Sequence, residues 1–265
     1  MDSSPKNVLL PFTPVSRHNI TFLLIAQAGI GIGMWFASSS KVLPSPLEVA
    51  HSWVALVQTQ GMLFELWQSV KVLLLALLMA TGLSVVIAAA STAPLFWPIA
   101  TFSSVLRFLG FAGLTYIFML ATNDSYQLKL SLLVFGITVM MVTSMLAEVR
   151  AIPQETIDHC KTLGMKHWRI TYEVVLLGKA DVFLDLVRQN AAIGWTLLTM
   201  VEGLTRSQGG IGALLLNQNR YFQLSGVFAI QITILLYGII QDYLLGQLKG
   251  IACPYSLLGK TRAAA

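Results

Sequence analysis

Charged residues are scarce in this chain. Asp, Glu, Lys and Arg make up 11% of the 265 residues, and 55% of the residues are hydrophobic, whereas soluble domains are about one quarter charged. The few charges are also unevenly placed, since none occurs in 72–106, 130–147 or 221–241. These apolar runs exclude an ordinary soluble domain and predict an integral membrane protein, because a membrane-spanning helix needs about 20 apolar residues.

Cysteine and histidine are also sparse, with two and four residues. No Cys-x-x-Cys or His-x-x-x-His spacing exists that would gather a metal ion, and we expect no disulfide between Cys160 and Cys253. A phosphate-binding loop is missing too, because Gly259-Lys260-Thr261 has Pro254 where that motif needs a glycine. We therefore expect no catalytic residues, no metal site and no ATP bound by this chain itself.

The apolar runs predict an all-α protein with six membrane-spanning helices, over about 20–38, 70–91, 95–121, 129–147, 183–204 and 222–246. Of the 17 Lys and Arg residues, eleven then fall on one side, five on the other, and Arg107 within the third span. The positive-inside rule places the richer side, with both termini, in the cytoplasm. This gives a cytoplasmic segment over 1–19, a transmembrane domain over 20–248 and a cytoplasmic tail over 249–265.

A polar stretch over about 150–182 interrupts the apolar pattern between the fourth and fifth spans. Pro153 suits the first turn of a helix, and Glu155 and Asp158 follow where a helix N-terminus favours negative charge. Gly164 is predicted to end this helix in the left-handed conformation.

A second short helix is predicted from Met165 towards Leu176. It mixes bulky residues such as Trp168 with the cationic Lys166 and Arg169. The pattern fits an amphipathic connector lying on the membrane, and it equally fits a docking surface for a soluble partner. A helix joined rigidly to two spans moves with whatever binds it, so docking would carry a partner's motion into the membrane.

Two charged residues fall within or beside predicted spans. Arg107 lies about midway along the third span, and Glu202 ends the fifth. Ionisable side chains at membrane depth usually face a cavity or a partner, which makes both residues candidates for lining a translocation path. The alternative is that the two helices are shifted or broken, so that each charge reaches a membrane surface. An arginine on the path would suit an anionic solute.

Four short motifs follow one another over residues 41–246. In this order and on a frame of six spans, they resemble the inner-membrane permeases of binding-protein-dependent ABC importers, and within that family the nitrate, sulfonate, taurine and bicarbonate branch. The motifs are Leu43-Pro44-Ser45-Pro46 with Glu48-Val49, then Asp158-His159-Cys160-Lys161-Thr162-Leu163-Gly164, then Arg188 with Trp195 and Glu202, and last Gly210-Ile211-Gly212.

The resemblance implies the fold of a type I importer permease, whose polar loop is a coupling helix seated in a cleft of an ATPase subunit. The implied partners are cytoplasmic ATP-binding subunits that hold ATP and Mg, a second permease copy or paralogue, and a periplasmic or lipid-anchored substrate-binding protein. Membrane lipid is a further partner, and nucleic acid is not expected. The docking candidates are Glu155, Asp158, His159, Lys161, Gly164, Met165, His167 and Trp168, and the path candidates are Arg107, Trp195 and Glu202.

The chain also departs from the family pattern. These differences indicate a divergent member and weaken any inference about the transported substrate. The departures are Asp158 in place of glutamate, His159 and Cys160 in place of alanines, Leu177 and Asp181 in place of prolines after the loop, and Phe108 and Gly110 in place of prolines after Arg107.

The sequence thus supports one leading hypothesis, a non-enzymatic importer permease for a small anionic solute of the nitrate, sulfonate, taurine or bicarbonate kind. An ATP-independent channel or secondary carrier is the alternative, although the chain lacks the evident internal repeat on which many carriers are built. A membrane enzyme acting on lipids would need acids, bases or metal ligands near the surface, and the sequence offers little beyond Glu202 and Arg206.

Overall fold

The computed structural model describes residues 17–37, 43–205 and 209–254, and these ranges are helical with no β-strand among them. The all-α prediction is therefore confirmed for this part of the chain. A 3₁₀ turn over Leu106–Phe108 follows α4, and a π-helix over Thr171–Leu177 follows α8. The α-helices are α1 Arg17–Ala37, α2 Pro46–Thr59, α3 Met62–Ala90, α4 Trp97–Val105, α5 Phe111–Ala121, α6 Ser125–Arg150, α7 Gln154–Thr162, α8 His167–Ile170, α9 Ala180–Leu204, α10 Ile211–Arg220 and α11 Leu224–Ala252.

Four helices of the described ranges are long and apolar enough to cross a membrane: α1 over Asn19–Phe36, α3, α6 and α11. They overlap the first, second, fourth and sixth predicted spans, although α3 begins at Met62 rather than near 70 and α11 extends to Ala252 rather than about 246. The fifth prediction, 183–204, coincides with α9, which carries four charged residues and is not one of these four. The membrane character expected from the sequence is thus borne out by these helices.

The third predicted span, 95–121, is not one continuous helix. α4 runs into the 3₁₀ turn, α5 begins at Phe111, and the two parts meet at an angle of 118°. Counted together as one broken span, they raise the number of apolar spans to five. Arg107 lies at this break, exposed, with its guanidinium 5.0 Å from the centre of the Phe108 ring. A continuous helix with Arg107 in its middle is therefore wrong, and a broken helix is what occurs.

The centre of the bundle is formed by α3, α6 and α9, which pack against one another. α10 and α11 pack against α9, and α2 packs against α11. Large apolar side chains also cover the outer faces, as helices in lipid require. The aliphatic side chains that fill the centre are Leu73, Leu132, Leu133, Ile137, Met141 and Leu198.

The helix directions give the bundle two distinct ends. α6 ends and α9 begins at the 150–182 stretch, which therefore lies at one end, the loop end. The start of α6 and the end of α9 lie at the opposite end. The last turns of α11 lie at the loop end, because its Asp242 and Lys249 pair with Arg188 and Asp185 near the start of α9.

Candidate functional site

A short helix lies on the surface of the bundle at the loop end. α7 has no buried residue, and it begins directly after Pro153. It ends before Gly164, whose φ of +75° is the left-handed conformation that glycine adopts without steric cost. The predicted start and stop of this helix are both confirmed.

The candidate docking residues lie on the surface of this loop. Met165 is half-buried, and the other seven are exposed. Asp158 accepts hydrogen bonds from Lys161 Nζ at 2.9 Å and from Gln154 Nε2 at 3.2 Å. The bond from Lys161, followed by that from Gln154, holds the pKa of Asp158 below its usual value. The loop therefore presents an ionised carboxylate at neutral pH.

Bulky apolar side chains lie exposed beside these charges. Leu163 and Trp168 are each 66% exposed. A cavity of about 280 Å³ separates this part of the loop from the turn between α3 and α4, with Pro94, Ile157 and Trp168 in its lining. Exposed apolar surface bordered by charged residues is typical of protein interaction sites.

The loop is fastened to the bundle where it enters and where it leaves. Lys179 Nζ lies 3.0 Å from Glu148 Oε2, which ties the start of α9 to the end of α6. The hydroxyls of Thr92 and Thr171 lie 3.1 Å apart and join the α3–α4 turn to the π-helix. α6 and α9, which the loop joins, also pack against each other.

A buried ion pair lies at the opposite end of the bundle. Glu202 is 0% exposed, and its Oε1 is 3.1 Å from Lys129 Nζ. Ser69 Oγ donates to the same carboxylate from 2.7 Å, and the Gly212 N–H donates to Oε2 from 2.8 Å. Lys129 also donates to the carbonyl of Gly209 at 3.2 Å. Each charge is thus compensated by its partner and by further hydrogen bonds, as burial requires.

The glycine motif after α9 folds over this carboxylate. Gly210 has a φ of +106°, and a Cβ there would lie 2.2 Å from Glu202 Oε1. The Ile211 N–H donates to Ser69 Oγ at 2.9 Å, and the Gly210 N–H donates to Glu65. Only glycine fits at position 210, and the segment covers the buried Glu202 carboxylate.

The third path candidate, Trp195, lies in a groove between α9 and α11. Its indole N–H donates to Gln241 Oε1 at 2.8 Å, and its ring meets that of Tyr237 edge-on at 5.4 Å. Arg188 and Asp242 form a bidentate ion pair in the same groove. No hydrogen bond or ion pair among the described residues joins Arg107, Trp195 and Glu202, so the structure does not gather them into one site.

The sequence alone did not identify several residues of these sites. Lys129 was counted only as a charge at the start of the fourth span, and Ser69, Gln241 and Asp242 were not singled out. An available signal was that Asp242 falls inside an apolar span, where an acid calls for a basic partner. The described residues hold no group of His, Cys, Asp and Glu side chains suited to a metal ion.

Comparisons with known proteins do not assign the chain. No model of a known family matches it, and no curated protein matches it either. The resemblance to importer permeases therefore rests on the four motifs alone.

Proposed function

We propose that this chain is the transmembrane permease subunit of an ABC importer in a bacterial inner membrane. The six spans of this proposal are α1, α3, the broken pair α4–α5, α6, α9 and α11. The charges of α9 favour a position shielded from lipid, and it packs against α3, α6, α10 and α11. The loop end and both termini would face the cytoplasm, as the excess of Lys and Arg there favours.

The observation that carries the proposal is the exposed α7, which has no buried residue and belongs to a loop fastened to the bundle by the Lys179–Glu148 ion pair and the Thr92–Thr171 hydrogen bond. An exposed helix in a fastened loop is suited to transmit force, since a partner that grips it would move α6 and α9 together. Asp158 supplies a charged contact and Trp168 an apolar anchor. Gly164 supplies the tight turn that lets the loop enter a cleft.

The partners follow from this role. Cytoplasmic ATPase subunits would bind ATP and Mg and seat α7, and a binding protein outside would deliver the solute to a pair of permease copies or paralogues. This chain would hydrolyse nothing itself. The expectation that the solute is a small anion rests on the family resemblance and on Arg107.

The test is complex formation with a cytoplasmic ABC ATPase subunit from the same organism. Co-expression and size-exclusion chromatography in detergent should give a stable complex with the native chain. Gly164→Trp should abolish it, because the indole fills the turn that enters the partner. Gly61→Trp is a matched control, since Gly61 also has a positive φ (+61°) and open space around its Cα, but lies at the opposite end of the bundle.

Two results would count against the proposal. The first is that Gly164→Trp forms the complex with the ATPase subunit as well as Gly61→Trp does. The second is transport that continues after ATP depletion and follows an ion gradient, which would favour the channel or secondary carrier.

A further inference from the structure

The groove between α9 and α11 has the dimensions of a small-molecule site. Its volume is about 420 Å³, within the range of about 300–1,000 Å³ common for ligand pockets. Apolar residues dominate its walls, among them Ala191, Ala192 and Ile234, and Arg188, Gln241 and Asp242 provide polar groups. Few polar groups set in an apolar wall are typical of sites that orient a solute.

Gln241 carries an unused hydrogen-bond donor in this wall. The Trp195 indole N–H can only donate, and it lies 2.8 Å from one end of the Gln241 amide, which must therefore be the oxygen. The orientation of the amide is thereby fixed. Its nitrogen Nε2 is buried and has no hydrogen-bond partner among the described residues. Buried polar groups in native proteins are nearly always paired, so an acceptor from outside the chain fits here.

The charges beside Gln241 restrict what that acceptor can be. Arg188 binds both oxygens of Asp242, and these side chains remain 41% and 49% exposed in the groove. The pair is neutral as a unit and already satisfied. An anion entering the groove would be repelled by Asp242, and a cation would be repelled by Arg188. An uncharged acceptor is repelled by neither side chain.

The geometry points to a binding site for a small uncharged carbonyl compound, such as a carboxamide, in the groove between α9 and α11. The carbonyl oxygen accepts from Gln241 Nε2, and the apolar body packs on the aliphatic wall. Side chains with charge at membrane depth usually face a water-filled cavity, which gives a polar solute access. Binding here does not depend on the proposed docking to an ATPase, so the isolated chain suffices to test it.

The test compares three probes of one shape, benzamide, benzoate and benzylamine, by saturation-transfer NMR titration on the purified chain in nanodiscs. Benzamide should bind about tenfold more tightly than the other two. Gln241→Met keeps the length of the side chain and removes both the amide donor and the acceptor of the Trp195 N–H. It should reduce benzamide binding at least tenfold, as loss of the hydrogen bond to the ligand predicts. Gln247→Met, at an exposed glutamine of the same helix, is the matched control and should leave binding unchanged.

A second variant predicts a gain of binding. Asp242→Asn frees the Arg188 guanidinium, so benzoate should then bind at least as tightly as benzamide. Equal binding of the three probes by the native chain would overturn the site, as would benzamide binding that survives Gln241→Met. Benzoate binding that does not rise in Asp242→Asn would overturn the role of the ion pair in excluding anions.

Discussion

The buried pair of Lys129 and Glu202 allows a quantitative test of the packing at the end opposite the loop. The two side chains are 4% and 0% exposed, with 3.1 Å between Nζ and Oε1. Lys129→Met leaves a buried carboxylate without its cation. Glu202→Gln leaves a buried ammonium with the Gly209 carbonyl as its remaining partner. Removing one member of a buried pair costs about 3–5 kcal/mol, and we expect each single change to lower the free energy of unfolding by that amount.

The double variant should be much less damaging than the sum of the two changes. Additive effects would remove about 6–10 kcal/mol, but a chain without either charge has no unpaired ion to bury. We expect the double variant to lose no more than either single variant, which corresponds to a coupling energy of about 3 kcal/mol or more.

The assay is equilibrium unfolding in mixed micelles by titration with SDS, followed by far-UV circular dichroism. The control cycle uses Asp158→Asn and Lys161→Met, because that pair has a similar N–O distance of 2.9 Å but lies exposed on the loop. Its coupling should be far smaller, because water screens exposed charges. Additivity within about 0.5 kcal/mol for Lys129 and Glu202 would refute the assignment of a buried, mutually compensating pair.

Three further predictions follow from single residues. Gly210→Ala should destabilise the protein by about 2–4 kcal/mol, because of the positive φ and the contact with Glu202. The control Gly82→Ala, with open space around it, should not destabilise the protein. The SDS titration measures both variants, and equal stability would contradict the close packing of the glycine segment on Glu202. Trp168→Ala should change the free energy of unfolding by less than about 0.5 kcal/mol, because the side chain is exposed. It should nevertheless weaken co-purification with the ATPase subunit. Unchanged complex formation would remove Trp168 from the docking surface. Because the pKa of Asp158 lies below its usual 3.8, the contribution of its carboxylate persists above that value and is lost only as the pH falls through the lowered pKa. The ratio of complex formation by Asp158→Asn to that by the native chain should therefore stay constant from pH 5 to 8, and a ratio that changes in this range would count against a carboxylate contact.

Local signals in the sequence predicted the helices and the turn of the loop well. Apolar length located α1, α3, α6 and α11, and the single Gly164 marked the end of α7, because both depend on residues close in the chain. One local signal was missed. Ser45 and Glu48 cap the start of α2 reciprocally, with bonds of 3.3 and 3.1 Å, so the first motif of the resemblance also has a structural role as a helix start.

The long-range pairings could not be predicted in the same way. Lys129 and Glu202 lie 73 positions apart, and apolar periodicity does not tell which helices are neighbours. The break at Arg107 was one of two alternatives, and only the backbone geometry decides between them. The structure also brings two of the resembling motifs together, since Gly210 and Gly212 lie against Glu202.

The most direct test of the central claim is whether a nucleotide cycle at the loop end moves the helices at the opposite end. Spin labels at Asp124→Cys and Tyr221→Cys, with Cys160 and Cys253 replaced by serine, report the distance across that end by pulsed electron resonance. We expect ATP with vanadate to change this distance when the ATPase subunit is present, and we expect Gly164→Trp to abolish the change while Gly61→Trp preserves it. An unchanged distance in the native complex, or a change that persists in Gly164→Trp, would contradict coupling through the loop.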